Sequence, residues 1–376
     1  KKNNMQHHPD TDQRIVMTLD AGGTNFVFSA IQGNEEIIPS IHKKASPDDL
    51  EAILETVANG FREVAEQLPG QPAAISFAFP GPADYPNGII GDLPNFPAFT
   101  GGVALGPMLE DQFEIPVYIN NDGNLFAYGE ALAGFLPALN RRLEEAGSLK
   151  RYNSLIGFTL GTGFGAGIVL DNAMLVGNSS SGAEIHNTLN PWHPNWNAEE
   201  SVSTRAIQRV YAEEAGIAFD ENLMPQDIAG IARQEQSGYT LAAKEAFTRF
   251  GQALGNSIAN AMSLIDSIVI LGGGITAAWD LFAPALFEEI NREYEDFRGN
   301  RSPRLSYTVY DLENPETFDE FVKGRTSEIS VPGSNRTISY DDLPRTGIGR
   351  STLGASRAIA LGAYAFALQQ LDSQSS

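Results

Sequence analysis

The 376-residue chain contains no cysteine, which removes disulfides, thiolate nucleophiles and every cysteine-based metal site. Basic side chains are also scarce, with 25 Lys and Arg against 47 Asp and Glu and a formal net charge of -22. Such a balance disfavours phosphate backbones and anionic headgroups, so neither direct nucleic-acid binding nor a membrane partner is expected. No uninterrupted apolar run is long enough to span a bilayer, and residues 1–13 lack the apolar core of a secretory signal. A cytoplasmic protein is the expectation.

What the chain has is glycine, 37 residues of it, and enough length for two to three domains. Near the amino terminus, apolar residues 15–19 and 26–31 read as two strands around Asp20-Ala21-Gly22-Gly23-Thr24-Asn25. Glycine permits the tight turn and close approach of a ligand. Asp20 suits hydrated Mg²⁺, and the Thr24 hydroxyl and exposed amides suit phosphate oxygens. The turn is neither a dinucleotide fingerprint nor a lysine-containing P-loop, and an ordinary structural turn is the competing reading.

Further along, Ser46 reads as a helix cap with Pro47 at the first helical position, and Leu50, Ile53, Leu54, Val57, Phe61 and Val64 form the buried stripe. Residues 73–79 read as a buried strand, followed by a turn-rich loop from Pro80 to Pro97 that shapes a pocket or is simply structural. The short strand 117–119 delivers Asn120, Asn121 and Asp122 to a helix over 125–135. There Asp122 is placed to cap the helix, to act as a general base, or both. Residues 136–153 read as a charged, exposed excursion.

A second glycine hairpin follows strand 155–160, with Gly161-Thr162-Gly163 leading into strand 168–170. Two such turns in separate parts of the chain suggest duplicated halves. Helical material over 203–214 and 242–262 precedes strand 267–271, which ends in Gly272-Gly273-Gly274. That junction admits a nucleotide base, ribose or phosphate, or serves tight helix-on-sheet packing. Residues 291–350, around strand-like 305–310, read as surface elaboration or an oligomer contact, and 351–370 as a packed helix returning to the amino-terminal domain.

In this order the motifs resemble the ROK family, whose name combines repressors, open reading frames and kinases. The resemblance rests on DAGGT at 20–24, PGP at 80–82, NFPAF at 95–99, INNDGNLFAYGE at 119–130, LGTGFGAGI at 160–168 and LGGGI at 271–275. It implies an α/β fold of two actin-like (ribonuclease H-like) domains with an intervening cleft. Residues 13–122, completed by 351–371, would form the first domain, and 123–350 a larger second domain with insertions.

The resemblance also implies ATP and Mg²⁺ as cofactors, a monosaccharide substrate, and a homodimer. Asp122 becomes the catalytic base, and Asp20 organises Mg²⁺ through water. Gly22, Gly23, Thr24, Gly161, Thr162, Gly163, Gly272, Gly273 and Gly274 become nucleotide-binding positions. Gly81, Asn95, Asn121, Asp122, Glu184, His186, Asn187 and Glu199 become sugar-side positions.

Two departures from the family pattern stand out. The glutamate-isoleucine-glycine-histidine motif is replaced by GAEIHN at 182–187, where Glu184 keeps the glutamate, His186 stands for the glycine and Asn187 for the histidine. The cysteine-rich zinc cluster is replaced by NPWHPNWNAEESVSTRAI at 190–207, so no structural zinc site is expected, His186 and His193 being too few ligands. Glu199 best matches the later family glutamate by its spacing to Ala206, with Glu200 as the neighbouring alternative. Trp192 and Trp196 pack that loop or shield a sugar.

The expected activity is ATP-dependent phosphorylation of a hexose or N-acetylated amino sugar. The competing expectation is a catalytically weak or inactive sugar sensor acting through a protein partner.

Overall fold

The first strand, β1 (Ile15–Ala21), is buried on both faces from Ile15 to Leu19, and this fixes the layers around it. Ile15, Met17 and Leu19 enter one core, whereas Val16 enters another on the opposite face. A strand that buries both faces needs a cover on each side. The computed structural model describes residues 9–21, 25–44, 46, 48–91 and 97–374.

The chain divides into two compact units, one of Lys1–Pro137, Gly167–Ala183 and Thr352–Ser376, the other of Ala138–Ala166 and Glu184–Ser351. In the first, β1 pairs antiparallel with β2 (Asn25–Gln32), which also carries β3 (Glu35–Glu36) and β4 (Ile41–Lys44). On its other side β1 runs parallel to β5 (Pro72–Ala78), and β5 parallel to β8 (Val117–Asn120). A small hairpin of β6 (Ala83–Asp84) and β7 (Ile89–Ile90) follows β5.

One face of this sheet is covered by α1 (Leu50–Gln67), whose Ile53, Val57, Phe61 and Val64 bury as the periodicity requires. The cap is Asp49, whose carboxylate accepts the Ala52 N–H at 3.1 Å. Ser46 therefore does not cap this helix, and Pro47 lies outside the described residues. α2 (Leu105–Phe113) adds Leu105 and Leu109 to the same core.

The other face is covered by α10 (Ala355–Gln374), through Leu361, Tyr364, Ala367 and Leu368. α10 also packs on α3 (Asp122–Leu132) at backbone distance, since a Cβ on Gly129 would overlap the Ala358 carbonyl and one on Gly362 the Leu125 carbonyl. Packing of α3 against α10 explains why residues past Asp122 group with the first unit.

The second sheet repeats the arrangement. β10 (Phe164–Leu170) neighbours β9 (Leu155–Leu160) and pairs at its far end with β11 (Ala173–Met174). From β9 the sheet continues in parallel through β12 (Ile268–Gly272), β18 (Arg345–Arg350) and β15 (Thr308–Asp311). The shared order of a hairpin followed by parallel strands makes the two sheets structural repeats in an α/β, actin-like architecture.

α4 (Phe135–Glu145) starts in the first unit and continues into the second, in place of the expected charged excursion. Leu136, Leu139 and Leu143 are buried at helical spacing, and the charges occupy the remaining face. α5 (Thr204–Ala215), α6 (Pro225–Ala232), α7 (Thr240–Met262) and α8 (Trp279–Ile290) follow.

Residues 291–350 are more than surface elaboration, because two of their strands, β15 and β18, belong to the main sheet. The rest of this region forms α9 (Pro315–Lys323) and the small hairpins of β13 (Glu293–Glu295) with β14 (Arg301–Pro303) and β16 (Thr326–Ser330) with β17 (Thr337–Asp341). A buried Arg345–Asp341 pair at 2.7 Å anchors β18 to the end of β17, and the Arg345 Nε also donates to the Phe321 carbonyl at 2.6 Å. Among the described residues, no helix is long and apolar enough to cross a membrane.

Candidate functional site

Three parallel strands of the first unit end at one edge. Asp20 of β1 is in register with Ala78 of β5, and Ala78 with Asn120 of β8. Asp20, the Pro80-Gly81-Pro82 turn and the Asn121-Asp122 junction are thereby brought to the carboxyl end of a single sheet, the usual location of ligand sites in such folds. Gly22, Gly23, Thr24 and Asn95 lie outside the described residues.

At the end of β8 the amides divide the work. The Asn121 side-chain oxygen accepts the Asn124 N–H at 2.7 Å and caps α3. Capping is therefore not the job of Asp122, which occupies the first helical position and accepts the Gly123 N–H at 2.8 Å. Beneath them, the fully buried Asn120 and Asn124 form a brace: the Asn120 side-chain oxygen accepts from the Asn121 N–H at 2.9 Å and from the Asn124 side-chain amide at 3.0 Å. The sequence reading missed this brace, although its signal is present as two asparagines four apart across a strand-to-helix junction.

Asp122 remains accessible to water while protein atoms crowd around it. Crowding lifts its carboxyl above the ordinary range of 3.8, the backbone hydrogen bonds pull against that rise, and the charge of Asp20 adds to it. Gly81 is exposed, and the loop that follows is pinned by the Tyr85 hydroxyl, which donates to the Phe79 carbonyl at 2.9 Å.

In the second unit, β9 and β12 also end side by side, with Gly272 in register with Thr159. The two glycine loops that follow are neighbours. Gly273 has φ +94, and a Cβ there would overlap the Leu160 carbonyl, so tight packing explains this glycine. Gly161 and Gly274 are different, because a Cβ on either would meet nothing within 4 Å. Thr162 and Gly163 are exposed at the hairpin tip. Open space over glycine backbone suits a phosphate chain or a nucleotide, so these residues fit the implied ATP.

For Mg²⁺, Asp20 and Asp122 supply electrostatically coupled carboxylates in one unit. Among the described residues, no group of three or more His, Asp or Glu is placed to hold a metal. That donor set fits an ion held largely by water and substrate phosphates rather than by a protein cage.

Glu184 and His186 form a local pair, Oε2 to Nδ1 at 3.0 Å, around a short 3₁₀ turn that exposes Asn187. Glu199 lies against the second hairpin, where Oε2 accepts the Phe164 N–H at 2.9 Å and Oε1 meets the Arg205 guanidinium at 2.9 Å. Arg205 also holds Glu200 at 2.7 Å, which keeps the Glu200 carboxyl below its ordinary range.

The cysteine-free loop is pinned by Asn190, only 1% exposed. Its amide donates to the Asn197 carbonyl at 3.1 Å and the Ser201 hydroxyl at 2.7 Å, and its oxygen accepts from the N–H groups of Trp192 and His193, each at 3.2 Å. Trp196 stacks on His193 with ring centroids 4.1 Å apart and lies beneath Arg209. With Trp192 they line a concavity of about 460 Å³.

Comparison with known proteins agrees with this architecture. A glucokinase from Parabacteroides distasonis is 50% identical, with 96% of this chain and 99% of that chain covered at a TM-score of 0.88. The glucokinase of Thermotoga maritima is 28% identical over 297 residues, 73% of this chain and 86% of the relative. An N-acetyl-D-glucosamine kinase of Photobacterium profundum is 27% identical over 276 residues, 69% of this chain and 83% of the relative. The ROK family model matches residues 16–305. With two actin-like repeats, paired glycine loops and no cysteine-based zinc motif, the chain belongs to the ROK family as a sugar-kinase-like member.

Proposed function

We propose that this protein transfers the terminal phosphoryl group of ATP to a hydroxyl of a hexose or N-acetylated amino sugar, with Asp122 as general base. The observation that carries the reading is the division of labour at the end of β8: Asn121 caps α3, so the Asp122 carboxylate is available for chemistry. Relatives that are glucokinases and N-acetyl-D-glucosamine kinases support the substrate class.

In the step, the Asp122 carboxylate accepts the proton of the attacking sugar hydroxyl. The hydroxyl oxygen bonds to the terminal phosphorus as the bond from that phosphorus to its bridging oxygen breaks, and ADP leaves with the electron pair. Asn121, whose oxygen is committed to the cap, retains amide donors for a sugar oxygen. Gly81, Asn95, Glu184, His186 and Asn187 are the remaining sugar-side candidates, while both oxygens of Glu199 are engaged at the second hairpin by the Phe164 N–H and Arg205.

Gly161, Thr162, Gly163 and the 272–274 loop receive the nucleotide, joined by Gly22, Gly23 and Thr24. Asp20 would hold Mg²⁺ through water, and the ion would supply neutralisation of phosphate charge.

A panel of glucose, mannose, fructose and N-acetylated hexosamines, read out as ADP and as phosphosugar by mass spectrometry, tests the reading. One sugar is expected to yield both products in equal amounts. No phosphosugar from any of them, with ATP and Mg²⁺ saturating, would overturn it in favour of a sugar sensor.

A further inference from the structure

An anion-receiving turn has to keep its carbonyl oxygens away from the phosphate, since these are the negative ends of the peptide dipoles. In the turn at 161–163 each of the three carbonyl oxygens has a partner within the protein. The Gly163 carbonyl accepts the Gly161 N–H at 3.1 Å, the Gly161 carbonyl accepts the Thr204 N–H at 2.8 Å, and the Arg205 guanidinium reaches the Thr162 carbonyl at 3.5 Å. Glu199 takes the Phe164 N–H, and its Oε2 would stand 2.9 Å from a Cβ on Gly163, so a side chain there would crowd the carboxylate.

Apart from the bond inside the turn, these tethers come from one short segment, Glu199 to Arg205, that leads into α5. Arg205 is their junction, with one fork shared between Glu199 at 2.9 Å and Glu200 at 2.7 Å. The same segment is fixed from behind by Asn190, whose amide holds the Asn197 carbonyl and the Ser201 hydroxyl on either side of Glu199.

We infer that Glu199 and Arg205 form a clamp that holds the second glycine hairpin in its phosphate-receiving shape, with Arg205 as a positioning residue for the nucleotide. The clamp rests on the reading of this hairpin as a nucleotide loop. Arg205 has a second effect, on charge. It neutralises one of two carboxylates that would otherwise face a hairpin receiving polyanionic phosphates. Without it, Glu199 is free to swing off Phe164, and the unpaired carboxylates repel the incoming nucleotide.

The test compares wild type, Arg205→Gln and Arg205→Lys in three measurements: calorimetric affinity for ADP with Mg²⁺, KM for ATP and for the sugar, and melting temperature. The glutamine variant is expected to weaken ADP binding and raise the KM for ATP by about tenfold, one charge-assisted contact. The KM for sugar and the melting temperature should stay close to wild type. Lysine, which restores charge but not the bidentate fork, should recover part of the loss.

Equal ADP affinity in wild type and Arg205→Gln would overturn the clamp while leaving the kinase reading intact. So would a parallel rise in both KM values together with a fall in melting temperature, the mark of a merely structural arginine. A wild-type protein that does not bind ADP at all would instead remove the nucleotide reading, and the clamp with it.

Discussion

Gly129 of α3 and Gly362 of α10 lie at the crossing of their helices, where neither position has room for a methyl group. The helix that begins at Asp122 is thus seated on the last helix by backbone contact. Gly362→Ala is expected to force the helices apart at a cost of about 3 kcal/mol, read as a lower denaturant midpoint. Gly70→Ala is the control, since its Cβ would find its nearest neighbour at 3.8 Å. That substitution should leave the midpoint unchanged or slightly raised.

Asp122→Asn is expected to lower kcat by about 10²- to 10⁴-fold while KM for sugar and ATP change little. Because the Asp122 carboxyl is raised in the folded protein, the acidic limb of the wild-type kcat/KM profile should lie above the ordinary carboxylate range. A limb at or below that range would remove Asp122 as the base.

The same shift makes a stability prediction with a definite sign. A raised carboxyl contributes stability below its unfolded value and loses that contribution as pH rises through its folded value. Asp122→Asn should therefore be more stable than wild type at neutral pH, and the difference should shrink as pH falls from the raised folded value of Asp122 to its ordinary unfolded one. Urea unfolding at several pH values reads this directly.

Arg345 and Asp341 form an ion pair with side-chain exposures of 0% and 4%. Removing one partner strands the other, so Arg345→Ala is expected to cost about 3–5 kcal/mol. Burial opposes the Asp341 charge, but Arg345 and the backbone N–H groups of Arg325 and Leu343 outweigh it and hold the carboxyl below its ordinary range. Stability from this group is present above the unfolded value and lost as pH falls, so Asp341→Asn should flatten the acid limb of the unfolding curve.

Asn190→Ala should cost about 1–3 kcal/mol and open the 190–201 loop to proteolysis, because four hydrogen bonds converge on one buried amide. A zinc-selective chelator should leave the wild-type melting temperature unchanged. A fall in that temperature would show that a metal, rather than Asn190, holds the loop.

Local sequence carried the repeats well, because each strand-glycine-strand turn is written in consecutive residues. The apolar runs 15–19 and 155–160 fall in the strands Ile15–Ala21 and Leu155–Leu160, and the helical stretches 203–214 and 242–262 in the helices Thr204–Ala215 and Thr240–Met262. Residues 136–153 misled because charge density masked Leu136, Leu139 and Leu143, whose spacing is helical. β18 was hidden for a different reason: its core position depends on pairing with β12, far away in sequence, and no local pattern records a partner. At the site, Asp122 was legible as a carboxylate at a junction, but the choice between capping and chemistry depended on which side chain reached the Asn124 N–H. Arg205 became visible only when α5 was seen beside the hairpin.

The place of α10 in the first unit bears on the order of assembly. As the chain emerges during synthesis, the sheet built on β1, β5 and β8 has one face covered by α1, while the face carrying Val16 and Ala74 waits for residues of α10. The second unit also waits for a late strand, β18, which enters its sheet between β12 and β15 just before α10 emerges. The helix bearing Asp122 therefore acquires its backbone neighbour after the rest of its sheet, so a chain stalled before α10 would expose an apolar sheet face and leave α3 without its seat.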